Sequence, residues 1–428
     1  MKTSHACREL CLIIVMAVAS GASFATAADS AMFRGGPTHN GVYTGTPPPL
    51  DSKVKWRFET NGRIISSPAV SGGAVYFGSF DGDLYAVDET SGTLKWKFET
   101  EGPITSSPAV VDGAVLFGSY DGNFYALDSA SGKEKWRFAT GGERRFAAKH
   151  IHGIDPPDET MPDFWDFYLS SPVVDGGFVY FGSGDGNVYK LNASSGAKVW
   201  SFKTGDVVHS SPALFNNTVY VGSFDKYFYA IDAATGQQKW RYKTGEDPKI
   251  HNQEGITSSP AIVDGVVYFG CRNATIYALD VSSGELKWQQ KGDRGWVSIS
   301  PAVANGKVYV ATGSDMAFKE LDAKTGAVLY TRKIGAGTFA SPAVIGDTVV
   351  LATFDGKVRA IEPTKDAETI LLPAPKLVPI ALASNFYDDH VAGMMARLKE
   401  GAFLSSPAIH DGVIFVGHTD GSMIAIGK

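Results

Sequence analysis

Residues 86–96 read AVDETSGTLKW, and a close copy, ALDSASGKEKW, occupies residues 126–136, 40 positions later. Two more close copies and two weaker ones follow: AIDAATGQQKW at 230–240, ALDVSSGELKW at 278–288, KLNASSGAKVW at 190–200 and ELDAKTGAVLY at 320–330. A pattern repeated at this interval indicates an array of similar structural units, because each unit buries its apolar surface against its neighbours.

A second repeated element, a Ser-Pro-Ala/Val phrase, counts the units. Its prolines are Pro68, Pro108, Pro172, Pro212, Pro260, Pro301, Pro342 and Pro407. The eight positions are separated by 40, 64, 40, 48, 41, 41 and 65 residues. A unit therefore has about 40 residues, and three of the connections carry insertions.

Each unit contains four short strand patterns. In the first unit they cover residues 64–70, 74–79, 83–87 and 94–99. The pair Asp81-Gly82 marks a hairpin between the second and third strands, and Asp-Gly pairs recur there in four other units. The second strands are nearly continuous apolar runs, which is typical of sheets covered on both faces. The sequence predicts an all-β fold, an eight-bladed β-propeller of four-stranded antiparallel blades.

The two ends of the propeller sequence predict how the ring closes. After Pro407 the last unit supplies only three strands, whereas the additional strand pattern VKWRFE at 54–59 precedes the first unit. This strand is expected to complete the eighth blade, which would remove exposed sheet edges. The tryptophan of each repeated phrase should lie on the outer strand and pack against a turn of the next blade.

The first residues have the order of a secretory signal peptide. A basic start with Lys2 and Arg8 precedes nine apolar residues at 11–19, and Ala25-Thr26-Ala27 forms a cleavage signal. We predict a signal peptide at 1–27, an N-terminal segment at 28–53 and the propeller at 54–428. No other run approaches about 18 apolar residues, so no transmembrane segment is expected. Because Cys11 begins the apolar run instead of following it, lipid attachment is not expected, and the protein should be periplasmic or extracellular.

Cysteine content and charge restrict the partners. Once the signal peptide is removed, Cys271 is the single cysteine, so no internal disulfide forms and a large core must provide the stability. Removal of two basic residues and one acidic residue changes the formal net charge from −6 to −7. This charge argues against nucleic acid or an anionic membrane surface as a partner.

The three insertions lie near residues 140–167, 244–255 and 372–402. Each joins the fourth strand of one unit to the first strand of the next. Because strand direction alternates in a blade, all three should extend from one face of the ring, around the central channel. Loops added to one side of a rigid scaffold commonly carry binding sites.

Candidate ligand- or cofactor-binding residues follow from this placement. His209 occupies a position at the channel end of an inner strand where other units have Ile65, Thr105, Leu169 and Thr257. Trp296 is a flat ring outside the repeated phrase that could stack on a planar quinone or a sugar. The other candidates are Arg294, His150, His152, His251, Asp388, Asp389 and His390. Ordinary packing and the polarity of long loops remain alternatives for each of them. The acidic residues of the first insertion lack the spacing of a calcium loop.

The repeat resembles that of the pyrroloquinoline-quinone (PQQ) repeat propellers. Their docking phrase, Ala-x-Asp-x-x-Thr-Gly-x-x-x-Trp, is matched by Ala230, Asp232, Thr235, Gly236 and Trp240. The resemblance covers residues 54–428 and implies eight blades. The resemblance does not decide the function, because the family contains two functional classes. Some members are quinoprotein dehydrogenases that hold PQQ and calcium. Others, such as the outer-membrane assembly lipoprotein BamB, bind partners and catalyse nothing.

Two functions therefore remain open. The first is an exported, non-catalytic binding or scaffold protein with a protein or polymer partner on the loop-rich face. The second is a PQQ-dependent dehydrogenase that oxidises alcohols or sugars with PQQ and calcium. The vicinal cysteine pair of many alcohol-oxidising members is missing, because Cys271 stands alone. The calcium ligands of that class cannot be matched to residues of this chain, so the sequence favours the first function.

Overall fold

The computed structural model describes residues 30–149, 158–247, 255–292, 297–312, 316–374, 398–399 and 401–428. In this part of the chain, eight four-stranded antiparallel sheets follow one another around a ring. The first strands of neighbouring blades contact each other and surround a central channel. This arrangement confirms the predicted eight-bladed β-propeller.

The blades are numbered in chain order, and the strands of each are given from the channel outward. Blades 1 and 2 comprise Ala69–Ser71, Ala74–Gly78, Asp83–Asp88 and Leu94–Glu99, then Ala109–Val111, Ala114–Gly118, Asn123–Asp128 and Glu134–Ala139. Blades 3 and 4 comprise Val173–Asp175, Phe178–Gly182, Asn187–Asn192 and Lys198–Lys203, then Ala213–Phe215, Thr218–Gly222, Tyr227–Asp232 and Gln238–Lys243.

The remaining blades follow the same order. Blades 5 and 6 comprise Ala261–Val263, Val266–Cys271, Thr275–Asp280 and Leu286–Lys291, then Ala302–Ala304, Lys307–Thr312, Ala317–Asp322 and Val328–Lys333. Blades 7 and 8 comprise Ala343–Ile345, Thr348–Ala352, Val358–Glu362 and Ala367–Leu372, then Ala408–His410, Val413–Gly417, Ser422–Gly427 and Lys53–Glu59. Outside the blades lie a two-stranded hairpin, Ala147–Lys149 with Thr160–Pro162, and two 3-10 turns, Phe33–Gly35 and Pro363–Lys365.

The eighth blade is completed by a strand from the other end of the chain. Lys53–Glu59 pairs antiparallel with Ser422–Gly427 and places Trp56 opposite Ala425. The same register places Trp96 opposite Ala86 in blade 1. The N-terminal strand therefore closes the ring as predicted, and it does so in the register of an ordinary fourth strand.

The repeated phrase forms the joint between neighbouring blades. The indole Nε1 of Trp200 in blade 3 donates a hydrogen bond to the Ala233 carbonyl of blade 4 at 3.1 Å. The same bond is made by Trp56, Trp96, Trp136, Trp240 and Trp288 to the turn of the following blade. At Gly236 (φ +73°), an added Cβ would lie 2.8 Å from the Trp200 ring. The phrase repeats because each tryptophan needs a turn glycine to lie against, which confirms its predicted role.

Replacement of this turn glycine is expected to destabilise the joint. Gly236→Ala would combine a left-handed backbone with a clash against Trp200, so we expect it to lower the free energy of unfolding by about 2–4 kcal/mol. Gly265 is a matched control because its φ is +74° and nothing lies within 4 Å of an added Cβ. Gly265→Ala should lower it by only about 1–2 kcal/mol. Urea denaturation of both variants measures the difference, and equal losses would contradict the packing role of Gly236.

The first strand of each blade is shorter than the sequence predicted. In blade 1 the predicted strand covers 64–70, whereas the observed strand is Ala69–Ser71. One serine side chain and a proline explain the difference. Pro68 has no N–H for a sheet hydrogen bond. The Ser66 hydroxyl instead accepts the N–H of Gly78 at 3.1 Å, which ties the segment to the second strand through a side chain.

A closed ring of serine hydrogen bonds joins the eight blades at the channel. The backbone N–H of Ser67 donates to the Ser107 hydroxyl of the next blade at 3.0 Å. The remaining seven bonds, at 2.9–3.0 Å, run from Ser107 through Ser171, Ser211, Ser259, Ser300, Ser341 and Ser406 back to Ser67. The inner edges of the blades have no sheet partner. Each serine of the repeated Ser-Pro phrase therefore supplies a side-chain acceptor for a backbone N–H that would otherwise be unpaired.

Residues 30–43, here called the N-terminal arm, cross one end of the channel. Carbonyls of the arm accept the N–H groups of Val70, Val110, Leu214, Ile262, Val303 and Val344, which belong to the first strands of six blades. These residues lie toward the first-to-second turns, opposite the fourth-to-first connections. Phe33 of the arm lines the channel from this side. The sequence had predicted only an N-terminal segment at 28–53, without a location.

Candidate binding face and channel

His209 lies at the other end of the channel, where it is almost completely buried. The exposed fraction of the residue is 3%. Its Nδ1 lies 2.7 Å from a carboxylate oxygen of Asp166 in the first insertion, and its Nε2 lies 3.6 Å from Glu143. Burial lowers the pKa of His209, but the charge of Asp166 and the hydrogen bonds of the two carboxylates outweigh burial and raise the pKa to about 9. The imidazole is therefore protonated at neutral pH.

Both carboxylates also accept hydrogen bonds from surrounding groups. The second oxygen of Asp166 accepts the Phe146 N–H at 2.6 Å. Glu143 accepts the Ser183 hydroxyl at 2.7 Å and the Gly184 N–H at 2.6 Å, both in the second-to-third turn of blade 3. The two ends of the first insertion are therefore attached to blades 3 and 4.

A second buried ion pair attaches the insertion to blade 5. Arg272 donates to the Asp163 carboxylate at 2.5 Å, with side-chain exposed fractions of 2% and 0%. The other oxygen of Asp163 accepts the Trp165 N–H at 2.9 Å. The Arg272 guanidinium also lies 5.5 Å from the centre of the Phe224 ring. Charge-assisted bonds of this kind hold the insertion in a defined position over the ring.

Aromatic side chains of the same insertion pack onto the channel mouth. Trp165 stacks on Phe339 of the blade 7 entry with ring centres 4.9 Å apart. Phe167 belongs to a buried cluster with Ile65 and with Leu398 of the third insertion. These aromatic contacts fasten the insertion to the ring.

The channel itself encloses a small cavity between the arm and the loops. Its walls are the eight serines of the ring, Phe33 from the arm, and the layer of residues that includes His209, Thr105 and Thr257. The cavity has a volume of about 50 Å³. Because one water needs roughly 10–15 Å³, the cavity has room for a few waters.

The described part of the channel does not fit PQQ and calcium. Ligand pockets typically have about 300–1,000 Å³, several times the volume of this cavity. Two buried carboxylates of the first insertion, Asp163 and Asp166, are occupied by Arg272 and His209. Across the residues that the structure describes, there is no group of three or more His, Cys, Asp or Glu side chains that could hold a metal ion. We therefore derive no chemical step through this cofactor.

The candidates chosen from the sequence divide into two groups. His209 lies at the channel, in contact with the first insertion. The others, Arg294, Trp296, His150, His152, His251, Asp388, Asp389 and His390, lie outside the described residues. Their roles therefore stay predictions.

Arg272 and Glu143 were missed as important residues. A signal for Arg272 was present, because blade 5 has Arg272-Asn273-Ala274 where blade 1 has Phe80-Asp81-Gly82. The interruption of the Asp-Gly turn marks a place where blade 5 reaches the first insertion. Glu143 carried no such signal, since its partners are a hydroxyl and a backbone N–H of another blade.

Eight blades, tryptophan joints and a strand-closed ring define this protein as a PQQ-repeat propeller. The family model described as "Outer membrane protein assembly factor BamB" matches residues 49–151, 147–291 and 249–369. The chain therefore belongs to this family. A comparison with curated proteins gives no significant match.

Solved structures with the same fold come from both functional classes. BamB from Moraxella catarrhalis is 17% identical, with a TM-score of 0.65, and the match covers 88% of this chain and all of that one. A europium-containing methanol dehydrogenase is 14% identical, with a TM-score of 0.67, and covers 92% and 91%. Quinohemoprotein alcohol dehydrogenase from Comamonas testosteroni is 14% identical, with a TM-score of 0.69, and covers 94% and 81%. At these identities the similarities establish the fold alone.

Proposed function

We propose that this protein is an exported, non-catalytic binding protein that holds a protein or polymer partner on the face formed by the fourth-to-first connections, here called the loop face. The observation that carries this proposal is how the buried charges near the channel are used. His209 and Arg272 pair with Asp166 and Asp163 of the first insertion. Both ion pairs fix a loop in place over the ring.

Fixing the insertion creates a rigid surface above the ring. The hairpin Ala147–Lys149 with Thr160–Pro162 extends from the fastened segment, and Met161 and Ala148 pack down against a buried cluster that contains Phe146 and Phe224. Arg145 and Glu159 at this hairpin are exposed. A surface that is ordered before a partner arrives loses less conformational entropy on binding, which favours tight association.

The family and the N-terminal sequence support the same proposal. The family description is that of an outer-membrane assembly factor. No helix in the described part of the chain is long and apolar enough to cross a membrane. From the family description and the predicted signal peptide at 1–27, we infer that the protein acts after export, in the periplasm or outside the cell.

Site-specific photo-crosslinking in the producing cell tests the loop face. A photoreactive amino acid at Glu159 on the hairpin is expected to form covalent adducts with a partner. The matched control is Asn217, an exposed residue of a first-to-second turn on the opposite face. It should give no adduct. Adducts at Asn217 but not at Glu159 would contradict the proposal.

A titration with PQQ and calcium distinguishes the dehydrogenase alternative. We expect no saturable change in quinone absorbance at micromolar PQQ and no reduction of a redox dye with alcohols or sugars. Saturable binding with turnover would overturn the non-catalytic proposal.

A further inference from the structure

The N-terminal arm contains an arginine that is buried without a carboxylate. Arg34 has an exposed fraction of 3%. Its Nε donates to the His39 carbonyl at 3.1 Å, and its Nη2 donates to the Pro301 carbonyl at 2.5 Å. The third nitrogen, Nη1, is buried and has no hydrogen-bond partner among the described residues.

No described residue supplies a negative charge to this arginine. Across the residues that the structure describes, no Asp or Glu lies within ion-pair distance of Arg34; the other ionisable groups that affect it are Tyr43 and His39. Burial lowers the pKa of Arg34 to about 10, so the guanidinium stays charged at neutral pH. By contrast, the other deeply buried arginine near the channel, Arg272, has Asp163 as its partner.

His39 presents a second unsatisfied donor next to this arginine. The residue is fully buried, and neither ring nitrogen has a hydrogen-bond partner among the described residues. Burial and the nearby Arg34 lower the pKa of His39 to about 3, so its ring is neutral and carries one N–H. The edge of the His39 ring packs against Phe33, the residue that lines the channel, with ring centres 5.4 Å apart.

A buried charge without a counter-ion is strongly unfavourable, and each unsatisfied donor adds to the penalty. Arginine has donors and no acceptor, so it selects a negatively charged ligand. We propose that Arg34 and His39 bind a small anion of the halide type, which neutralises the guanidinium and fastens the N-terminal arm beneath the channel.

The packing around Arg34 restricts the size of this ligand. A Cβ added at Gly41 would lie 2.5 Å from Nη2 and 2.9 Å from the Ala302 side chain, so this side of the guanidinium is filled. This close packing favours a monatomic ion over a phosphate or an organic carboxylate. The site is independent of the proposed partner-binding function, because it lies on the opposite side of the ring.

Bromide is the probe for this site, because its anomalous scattering locates it directly. Crystals of the mature protein soaked in sodium bromide are expected to show an anomalous peak within hydrogen-bonding distance of Arg34 Nη1 and the His39 ring. Absence of a peak there, with ordinary water density instead, would overturn the proposal. This measurement uses the unaltered protein and does not depend on a variant that folds.

A solution measurement tests the energetic coupling. When sodium bromide replaces sodium gluconate at constant ionic strength, the Tm of the wild type should rise by about 2 °C more than the Tm of Arg34→Met. Comparing the change in Tm between the two proteins removes the general effect of the salts on protein stability. Arg57→Met, at an exposed position of the closing strand, is the matched control and should respond like the wild type. Equal responses in all three proteins would contradict an anion at Arg34.

Discussion

Asp163→Ala is expected to lower the free energy of unfolding by about 3–5 kcal/mol, one of the largest effects of any single substitution in this protein. The change removes the carboxylate that the Arg272 guanidinium contacts at 2.5 Å, and the Arg272 side chain that loses this ion pair is only 2% exposed. It also removes the acceptor of the Trp165 N–H. Urea denaturation measures the loss, and limited proteolysis within 140–167 should report detachment of the first insertion.

Two controls separate the buried pair from an ordinary ion pair. The double variant Asp163→Leu with Arg272→Met should recover most of the loss, because it removes both charges together. Glu134→Ala breaks the exposed pair with Arg137, whose side-chain exposed fractions are 27% and 55%, and should change stability by less than about 1 kcal/mol. A loss at Asp163 as small as that at Glu134 would contradict the fastening role of the buried pair.

Stability is expected to fall between about pH 6.5 and pH 9 because of His209. Its pKa is raised to about 9 in the folded protein, above the ordinary value of 6.5. The imidazolium therefore contributes fully below pH 6.5, and its contribution is lost as the pH rises through 9. The expected contribution is on the order of 3 kcal/mol. Urea denaturation at a series of pH values measures it.

His209→Gln should remove this part of the pH dependence, because glutamine can hydrogen-bond to Asp166 but does not titrate. His410→Gln is the matched control. His410 also contacts a carboxylate, Glu89 at 2.6 Å, but it lies beside the first-to-second turn of blade 8, and 12% of its side chain is exposed. This variant should keep the decline between pH 6.5 and 9. A decline of equal size in His209→Gln would show that another group titrates.

The repeated parts of this fold were predictable, because the same local contacts recur in each blade. Trp200 and Gly236 meet in a joint between neighbouring blades. The same joint is made by six of the eight blades, so one pattern in the sequence predicts the ring. The ring closure followed from counting strands. The shortened first strands did not follow, because apolar alternation cannot show that serine hydroxyls replace backbone pairing.

The features that lie outside the regular repeat pattern were harder to predict. Arg272 and Asp163 are 109 positions apart. Asp163 lies in an insertion and Arg272 departs from the repeated turn of its blade, so no periodicity links them. His209 was recognised as a departure from its equivalents, but its partner Asp166 was one of several acidic residues in the insertion. The N-terminal arm has no strand or helix pattern, since its hydrogen bonds are made with six different blades.

The path of the arm has a consequence for the order in which the chain folds. The Tyr43 hydroxyl donates to the Pro407 carbonyl, so its binding partner is synthesised 364 residues later. Lys53–Glu59 likewise waits for Ser422–Gly427. Contacts between such distant positions form slowly, because a long loop must close before they stabilise anything. The residues that leave the ribosome early are therefore the last to find their places, and until then the nascent molecule remains an open arc with an unpaired edge.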